Sequence, residues 1–325
     1  MAKLNMVQAL NLALHQEMAK DPSVVVLGED VARDGGVFRV TEGLLAKFGE
    51  DRVIDTPLAE SAIVGVAGGM AIGGLRPVAE MQFDGFAYLG FPQLEGNVAR
   101  MRTRSRGGFT APLVLRIPYG GGVRALEHHS EAHEATWAVP GVKLVVPSGP
   151  RNARALLVAA IRDPDPVVFL EPKRSYRAFR EDVPDDEETV ELCRAQVARE
   201  GKDLTVVSWG AMMRPVLQAV EDVEARRPVN IEVIDLLTLF PLDADTVAGS
   251  VRRTGRCVVV QEGPRSFGPA AEVVARINDK ALLQLEAPVR RVAGYDVVTP
   301  YFGREGLYLP DAARIAAALE ETLDF

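Results

Sequence analysis

Asp55-Thr56-Pro57-Leu58-Ala59-Glu60, continued by Ser61-Ala62-Ile63-Val64-Gly65-Val66-Ala67-Gly68-Gly69-Met70-Ala71-Ile72-Gly73-Gly74, is the stretch on which the reading of this chain turns. Pro57 has no N–H to donate and biases Thr56 towards extended backbone, so residues 55–59 read as a tight loop feeding a helix. Residues 63, 64, 67, 68 and 71 are apolar or small and recur at i, i+3, i+4 spacing, which predicts a buried face. The other faces are also nearly free of charge, so a buried helix is expected. Each glycine in the run costs roughly 1 kcal/mol relative to alanine, which implies close backbone approach to a neighbour. Glu60 is the only ionisable side chain between Asp55 and Arg76. A carboxylate at the mouth of an apolar element must find a partner or shift its pKa; the plainer alternative is a first-turn glutamate favoured by the helix dipole.

A chain of 325 residues is comfortable for two cores, and 47% apolar with 25% charged residues is ordinary for a globular protein. The net charge of −8, from 45 acids and 37 bases, argues against a general attraction to nucleic acid or anionic lipid. Cys193 and Cys257 lie far apart and outside any C-x-x-C pair, which gives neither a disulfide framework nor a zinc ribbon and fits a reducing compartment. The first twenty residues lack a long uncharged apolar core and read as an amphipathic helix capped by Asn5. A cytoplasmic location, with no nucleic-acid or membrane partner, is the expectation.

Outward from the opening stretch, strands are expected at 23–27, 76–81, 113–117, 143–146 and 166–171, with helices at 37–48, 94–105 and 151–162. Apolar β-branched runs alternating with helices predict an α/β fold with a mostly parallel sheet covered on both faces. Near Arg180–Gly201 the composition shifts: residues 181–191, EDVPDDEETVE, hold seven acids in eleven positions. This predicts a first domain over 1–180, an acidic linker over 181–200 and a second, smaller α/β domain over 201–325. There the pattern restarts, with strands at 203–208, 230–235, 257–261 and 289–293 and helices at 212–225, 243–254, 269–278 and from 311.

Three of the four histidines fall in Glu127-His128-His129-Ser130-Glu131-Ala132-His133-Glu134. On a helix His129 and His133 would share a face, which suits a metal, although no third ligand stands at motif spacing. A solvated face is the plainer reading, and a catalytic histidine the third, because imidazole titrates near neutrality. Gly120-Gly121-Gly122-Val123-Arg124-Ala125 matches G-x-G-x-x-A by spacing, but several elements precede it and no acid follows about twenty residues on, so it is weak evidence for a dinucleotide. No G-x-S-x-G elbow and no G-x-x-x-x-G-K-[ST] loop occurs.

The run RVIDTPLAESAIVG at 52–65 resembles the cofactor-contacting segment of the beta subunits of thiamine-diphosphate-dependent 2-oxo acid dehydrogenases, the decarboxylating components of the pyruvate and branched-chain complexes. The likeness extends through VVVLGEDV, GGVF, RPVAEMQF, RIPYGGG, HHSE, DPVVFLEPKRSYR, REGKDLTVVSWG, EVIDLLTLFPLD and RTGR, in the family's order and at about its spacing. It implies a transketolase-like pyrimidine-binding domain followed by a transketolase C-terminal-like domain. It implies, too, that Glu60 hydrogen-bonds the aminopyrimidine, favouring its imino tautomer, and that Glu29, Leu58, Gln82 and Phe86 line the cofactor pocket, with Phe86 against the pyrimidine. His129, paired with Ser130, would act on the substrate's carboxylate and carbonyl or on acyl transfer to a lipoyl arm. Some members hold a monovalent cation where this chain has Ala160, Asp163 and Asp165; an ordinary helix-terminal turn is the commoner reading.

In this cofactor's families a G-D-G segment and magnesium normally grip the diphosphate, and no G-D-G is present here. The resemblance therefore implies half a site, with Mg2+ held mainly by an alpha subunit in an alpha2beta2 heterotetramer, and acyl transfer to the lipoyl acyltransferase component. RIPYGGG and EHHSE resemble branched-chain members and favour 3-methyl-2-oxobutanoate, with pyruvate as the alternative; branched-chain members often carry tyrosine at the position of Phe86. The rival readings are an NAD-dependent oxidoreductase using the 120–125 turn and a non-catalytic assembly subunit.

Overall fold

The computed structural model describes residues 2–185 and 189–325; part of the expected acidic linker, 186–188, lies outside the described residues. The chain divides into two compact units. One runs to Tyr119 and adds Trp137–Leu192; the other comprises Gly120–Thr136 and Cys193–Phe325. Residues 120–136, which carry the histidine cluster, thus belong to the second unit, although they stand within the sequence of the first.

In the first unit the strands β1 (Val24–Gly28), β2 (Val53–Asp55), β3 (Arg76–Glu80), β4 (Val114–Tyr119), β5 (Lys143–Val145) and β6 (Val167–Pro172) pair in the order β5-β6-β4-β3-β1-β2. Every pairing is parallel. β1, β4 and β6 are buried at every residue. Because successive side chains point to opposite faces, this means that both faces of the sheet are covered. Each valine or leucine so buried contributes roughly 1.5–3 kcal/mol before entropy is counted.

Helix α1 (Met6–Lys20) packs on α3 (Pro150–Arg162), and α2 (Glu60–Ile72) packs on β3. Asn5 caps α1 reciprocally: its Oδ1 accepts from Gln8 N at 3.0 Å, and Gln8 Oε1 accepts from Asn5 N at 3.1 Å. α2 buries Glu60, Ile63, Val64, Ala67, Gly68 and Ala71, the face expected from the spacing. It is not buried all round: Ser61, Ala62, Gly65, Val66, Gly69 and Ile72 are exposed in this chain. Of its glycines, Gly68 is the crowded one, since a Cβ there would stand 3.0 Å from Val98 Cγ2.

Two expected helices are shortened. Over 37–48 only Leu44–Phe48 is helical, because Arg39 and Gly43 adopt positive φ and interrupt the turn. Over 94–105 the chain makes one wide π-type turn at Leu94–Val98, then a short helix at Met101–Arg104. Glu181–Val183, in the expected linker, pairs antiparallel with Ala2–Leu4.

The second unit orders β7 (Gln196–Arg199), β8 (Leu204–Ser208), β9 (Ile231–Asp235), β10 (Cys257–Pro264) and β11 (Arg290–Gly294) as β11-β10-β8-β9-β7. Only the β9–β7 pairing is antiparallel. Leu204, Val206, Val233, Val258 and Val260 of this sheet share a core with Val216, Val220 and Val223 of helix α4 (Met213–Glu224) and with Ile315 and Leu319 of the last helix, α5 (Ala312–Leu323). No described helix is long and apolar enough to cross a membrane.

Candidate active site

Register brings Glu29, the loop that leads to Glu60, and Gln82 off one edge of the first unit's sheet. Gly28 is paired with both Asp55 and Glu80, so β1, β2 and β3 end level, and Glu29, Thr56 and Met81 leave the sheet side by side. Ligands of open parallel sheets bind outside such carboxyl ends. Thr56 N donates to Gly28 O at 2.9 Å, and the Asp55 carboxylate accepts from Ala32 N at 2.7 Å, which fixes the loops on either side. Gly28 has to be glycine: its φ is +154°, and a Cβ would lie 2.6 Å from Glu80 O.

Glu60 opens α2 and is only 5% exposed, where the helix dipole favours its negative charge. Glu29 is also buried, and its carboxyl is pushed up first by burial and then by the negative charges of Glu60 and Asp30. Gln82 Nε2 donates to Asp30 Oδ2 at 3.3 Å. Phe86 stands edge-on to Phe83, centroids 5.9 Å apart, and Phe83 in turn to Phe38 at 5.5 Å, which makes a row of three rings. Thr56 Oγ1 is buried without a hydrogen-bond partner among the described residues. Leu58 is 79% exposed at the loop tip. Two facing carboxyls, an orphan hydroxyl and a row of rings fit a flat heterocycle with basic nitrogens and an amino group, as an aminopyrimidine has.

Beneath this edge lies a cluster that the sequence reading did not single out. Arg116, fully buried on β4, forms a bidentate pair with Glu171 of β6 at 2.6 and 2.8 Å and also grips Glu80 of β3. Tyr176 OH donates to Glu171 Oε2 at 2.6 Å. Burial opposes every charge here, yet the two carboxylates outweigh it for Arg116 and hold it protonated; burial pushes the Glu80 carboxyl and the Tyr176 hydroxyl up. A signal existed: Glu80, Arg116 and Glu171 are lone charges within apolar strand runs, and such charges must meet one another.

In the second unit, Gly120 N donates to Glu131 O at 2.7 Å, which closes residues 121–130 into a loop. Glu127–His129 is a single tight turn and Glu134–Trp137 another, so His129 and His133 do not share a helix face as the metal reading requires. Among the described residues no group of His, Cys, Asp or Glu is arranged to hold a metal ion. The rings of His128 and His129 meet edge-to-face at 4.2 Å, while His133 lines a pocket of about 210 Å³ with Thr136, Gln261 and Phe267.

The glycine run is an anion-binding nest that is already filled. Gly121 N donates to Glu262 Oε1 at 2.5 Å and Gly122 N to Glu305 Oε1 at 2.6 Å, both carboxylates being buried. A pyrophosphate would have to displace them, which counts against the dinucleotide reading. At the 160–165 turn, the carbonyls of Ile161 and Asp163 accept from Arg76, and Lys143 Nζ sits 2.6 Å from Asp163 Oδ1. The chain's own cations hold this turn.

Comparison with known domain families places the chain in the transketolase class. Residues 2–178 match the transketolase pyrimidine-binding domain and residues 194–315 the transketolase C-terminal domain. A split-gene transketolase described as an inactive beta4 tetramer superposes with a TM-score of 0.82 over 99% of both chains at 24% identity, a likeness of fold. The pyruvate dehydrogenase E1 component subunit beta of Acholeplasma laidlawii is 52% identical over 99% of this chain and 98% of its own length. That of Bacillus subtilis is 49% identical over the whole of both chains. The chain belongs to the family of beta subunits of the thiamine-diphosphate-dependent decarboxylating component of 2-oxo acid dehydrogenase complexes, enzymes that work with an alpha subunit.

Proposed function

We propose that this chain is the beta subunit of a cytoplasmic pyruvate dehydrogenase, holding the aminopyrimidine end of thiamine diphosphate while an alpha subunit holds the diphosphate and Mg2+ in an alpha2beta2 heterotetramer. The observation that carries the reading is Glu60: a buried carboxylate at a helix start, at the level carboxyl ends of three parallel strands, beside a second buried acid. Sequence features favoured branched-chain 2-oxo acids. Relatives at 52% and 49% identity carry the pyruvate name, and pyruvate is the substrate proposed.

Thiamine diphosphate, when bound, supplies the electron sink for decarboxylation. Glu60 would hold a proton against a ring nitrogen, with Glu29 and Gln82 ordering the polar edge, and Phe86 and Leu58 supplying apolar wall. Thr56 offers its unpaired hydroxyl to the same edge. His129 would serve the substrate's carboxylate and carbonyl, or the passage of the acyl group to the lipoyl acyltransferase component.

Co-purification with the alpha subunit tests the reading. The assembly is expected to turn over pyruvate with a kcat/KM at least ~10-fold above that for 3-methyl-2-oxobutanoate, the range open to a pocket that discriminates by methylenes. The chain alone is expected to bind the cofactor poorly and to be inactive. Preference for the branched acid, or robust decarboxylation by the isolated chain, would overturn it.

A further inference from the structure

The loop carrying His128, His129 and Ser130 is anchored on its own unit by two acids that come from far along the sequence. Glu262 lies on β10 and Glu305 opens the short helix Glu305–Tyr308. Glu262 takes the Gly121 amide; Glu305 takes the Gly122 amide and, through its second oxygen, approaches Arg124 N at 3.4 Å. The carboxylates sit close against the glycine backbone. A Cβ on Gly120 would stand 2.7 Å from Glu262 Oε1, and one on Gly121 would stand 2.7 Å from Glu305 Oε1.

Positive φ at Gly120, Gly122 and Arg124 turns the amides inward. Downstream, His129 N donates to Leu126 O at 3.0 Å and Ser130 N to Glu127 O at 2.9 Å, so the histidine turn is stiff and moves with its stem. Ser130 is 2% exposed, and its Oγ has no hydrogen-bond partner among the described residues. The clamp is strong because the acceptors are charged: such hydrogen bonds are roughly twice as strong as neutral ones.

We propose that Glu305, assisted by Glu262, is a positioning residue for the reaction: by fixing the amides of Gly121 and Gly122 it sets the direction of the His128-His129-Ser130 turn. The inference rests on the reading of His129 given above. It assigns the carboxylates of Glu262 and Glu305 a task in holding the loop backbone. Glu305 acts through the loop alone.

The test uses the assembled enzyme with its alpha subunit and three variants, E305A, E305Q and H129A. In E305A, hydrogen exchange of the 121–130 amides is expected to quicken about tenfold, the loss of one charge-assisted bond, and trypsin to cut after the exposed Arg124. The KM for the 2-oxo acid is expected to rise, or acyl transfer to slow, by a similar factor, with thiamine diphosphate affinity unchanged. E305Q, which keeps an oxygen for Gly122 N, should recover most of the protection and most of the rate. Unaltered exchange and kinetics in E305A would overturn the clamp, as would cofactor affinity falling in step with turnover. A loosened loop in E305A beside a fully active H129A would overturn the reading of His129 and with it the catalytic consequence, leaving only the clamp.

Discussion

Two pairs of buried acids lie in the first unit and have opposite settings. Glu80 and Glu171 share the Arg116 guanidinium and a tyrosine hydroxyl. Glu29 and Glu60 form no ion pair among the described residues and repel one another instead. On the proposed function, the difference separates scaffold from site. Acids whose charge is matched inside the chain stiffen the sheet, while acids left unmatched keep their capacity for a bound ligand.

The sharpest test of that contrast is Glu60→Gln. Turnover in the assembled enzyme is expected to fall by roughly 10²–10⁴-fold, the span of a lost proton-handling group, with melting temperature and assembly unaltered. Near-normal turnover would place Glu60 with the scaffold. Arg116→Met should do the reverse in kind: unfolding by denaturant is expected to show a loss of about 3–5 kcal/mol, because two buried carboxylates lose their cation. An Arg116→Met protein as stable as the parent would erase the distinction.

The smallest effect is expected at Glu29. Its carboxyl is raised in the folded chain, so the folded state holds this proton to higher pH than the unfolded state does. Stability is therefore lost as pH rises from the ordinary carboxyl range through the raised value. Glu29→Gln removes that penalty: without cofactor it should melt above the parent at pH 7.5 and with it at pH 4. A difference that persists unchanged at pH 4 would trace to packing rather than charge.

The strand-end edge proposed as the site rests on local sequence signals. Pro57 sets a loop, the 63-64-67-68-71 spacing sets a helix face, and Glu60 stands alone between them. Register then follows from parallel strands of apolar residues. What could not be read was long-range pairing of charge. Gly121 and Glu262 lie 141 residues apart, and Gly122 and Glu305 lie 183 apart. From spacing alone the glycine run resembled a phosphate cradle, and only the folded chain reveals that it cradles carboxylates. The helix expected at 37–48 failed for a similar reason: the left-handed turn at Arg39 carries no composition signal and is set by its neighbours, with Thr41 Oγ1 donating to Val31 O at 2.7 Å. The full burial expected of α2 failed because an apolar face in sequence does not say which molecule covers it.

Each unit holds one of the chain's two tryptophans. Trp137 is completely buried with its Nε1 donating to Asp84 Oδ1 at 3.1 Å, and Trp209 is 1% exposed with its Nε1 donating to Glu134 Oε1 at the same distance. The polypeptide therefore contains two resident fluorophores, one per unit, each desolvated and polarised by an adjacent anion. Emission from either indole reports the opening of its own unit, so the order in which the halves come apart can be followed by light without attaching any dye.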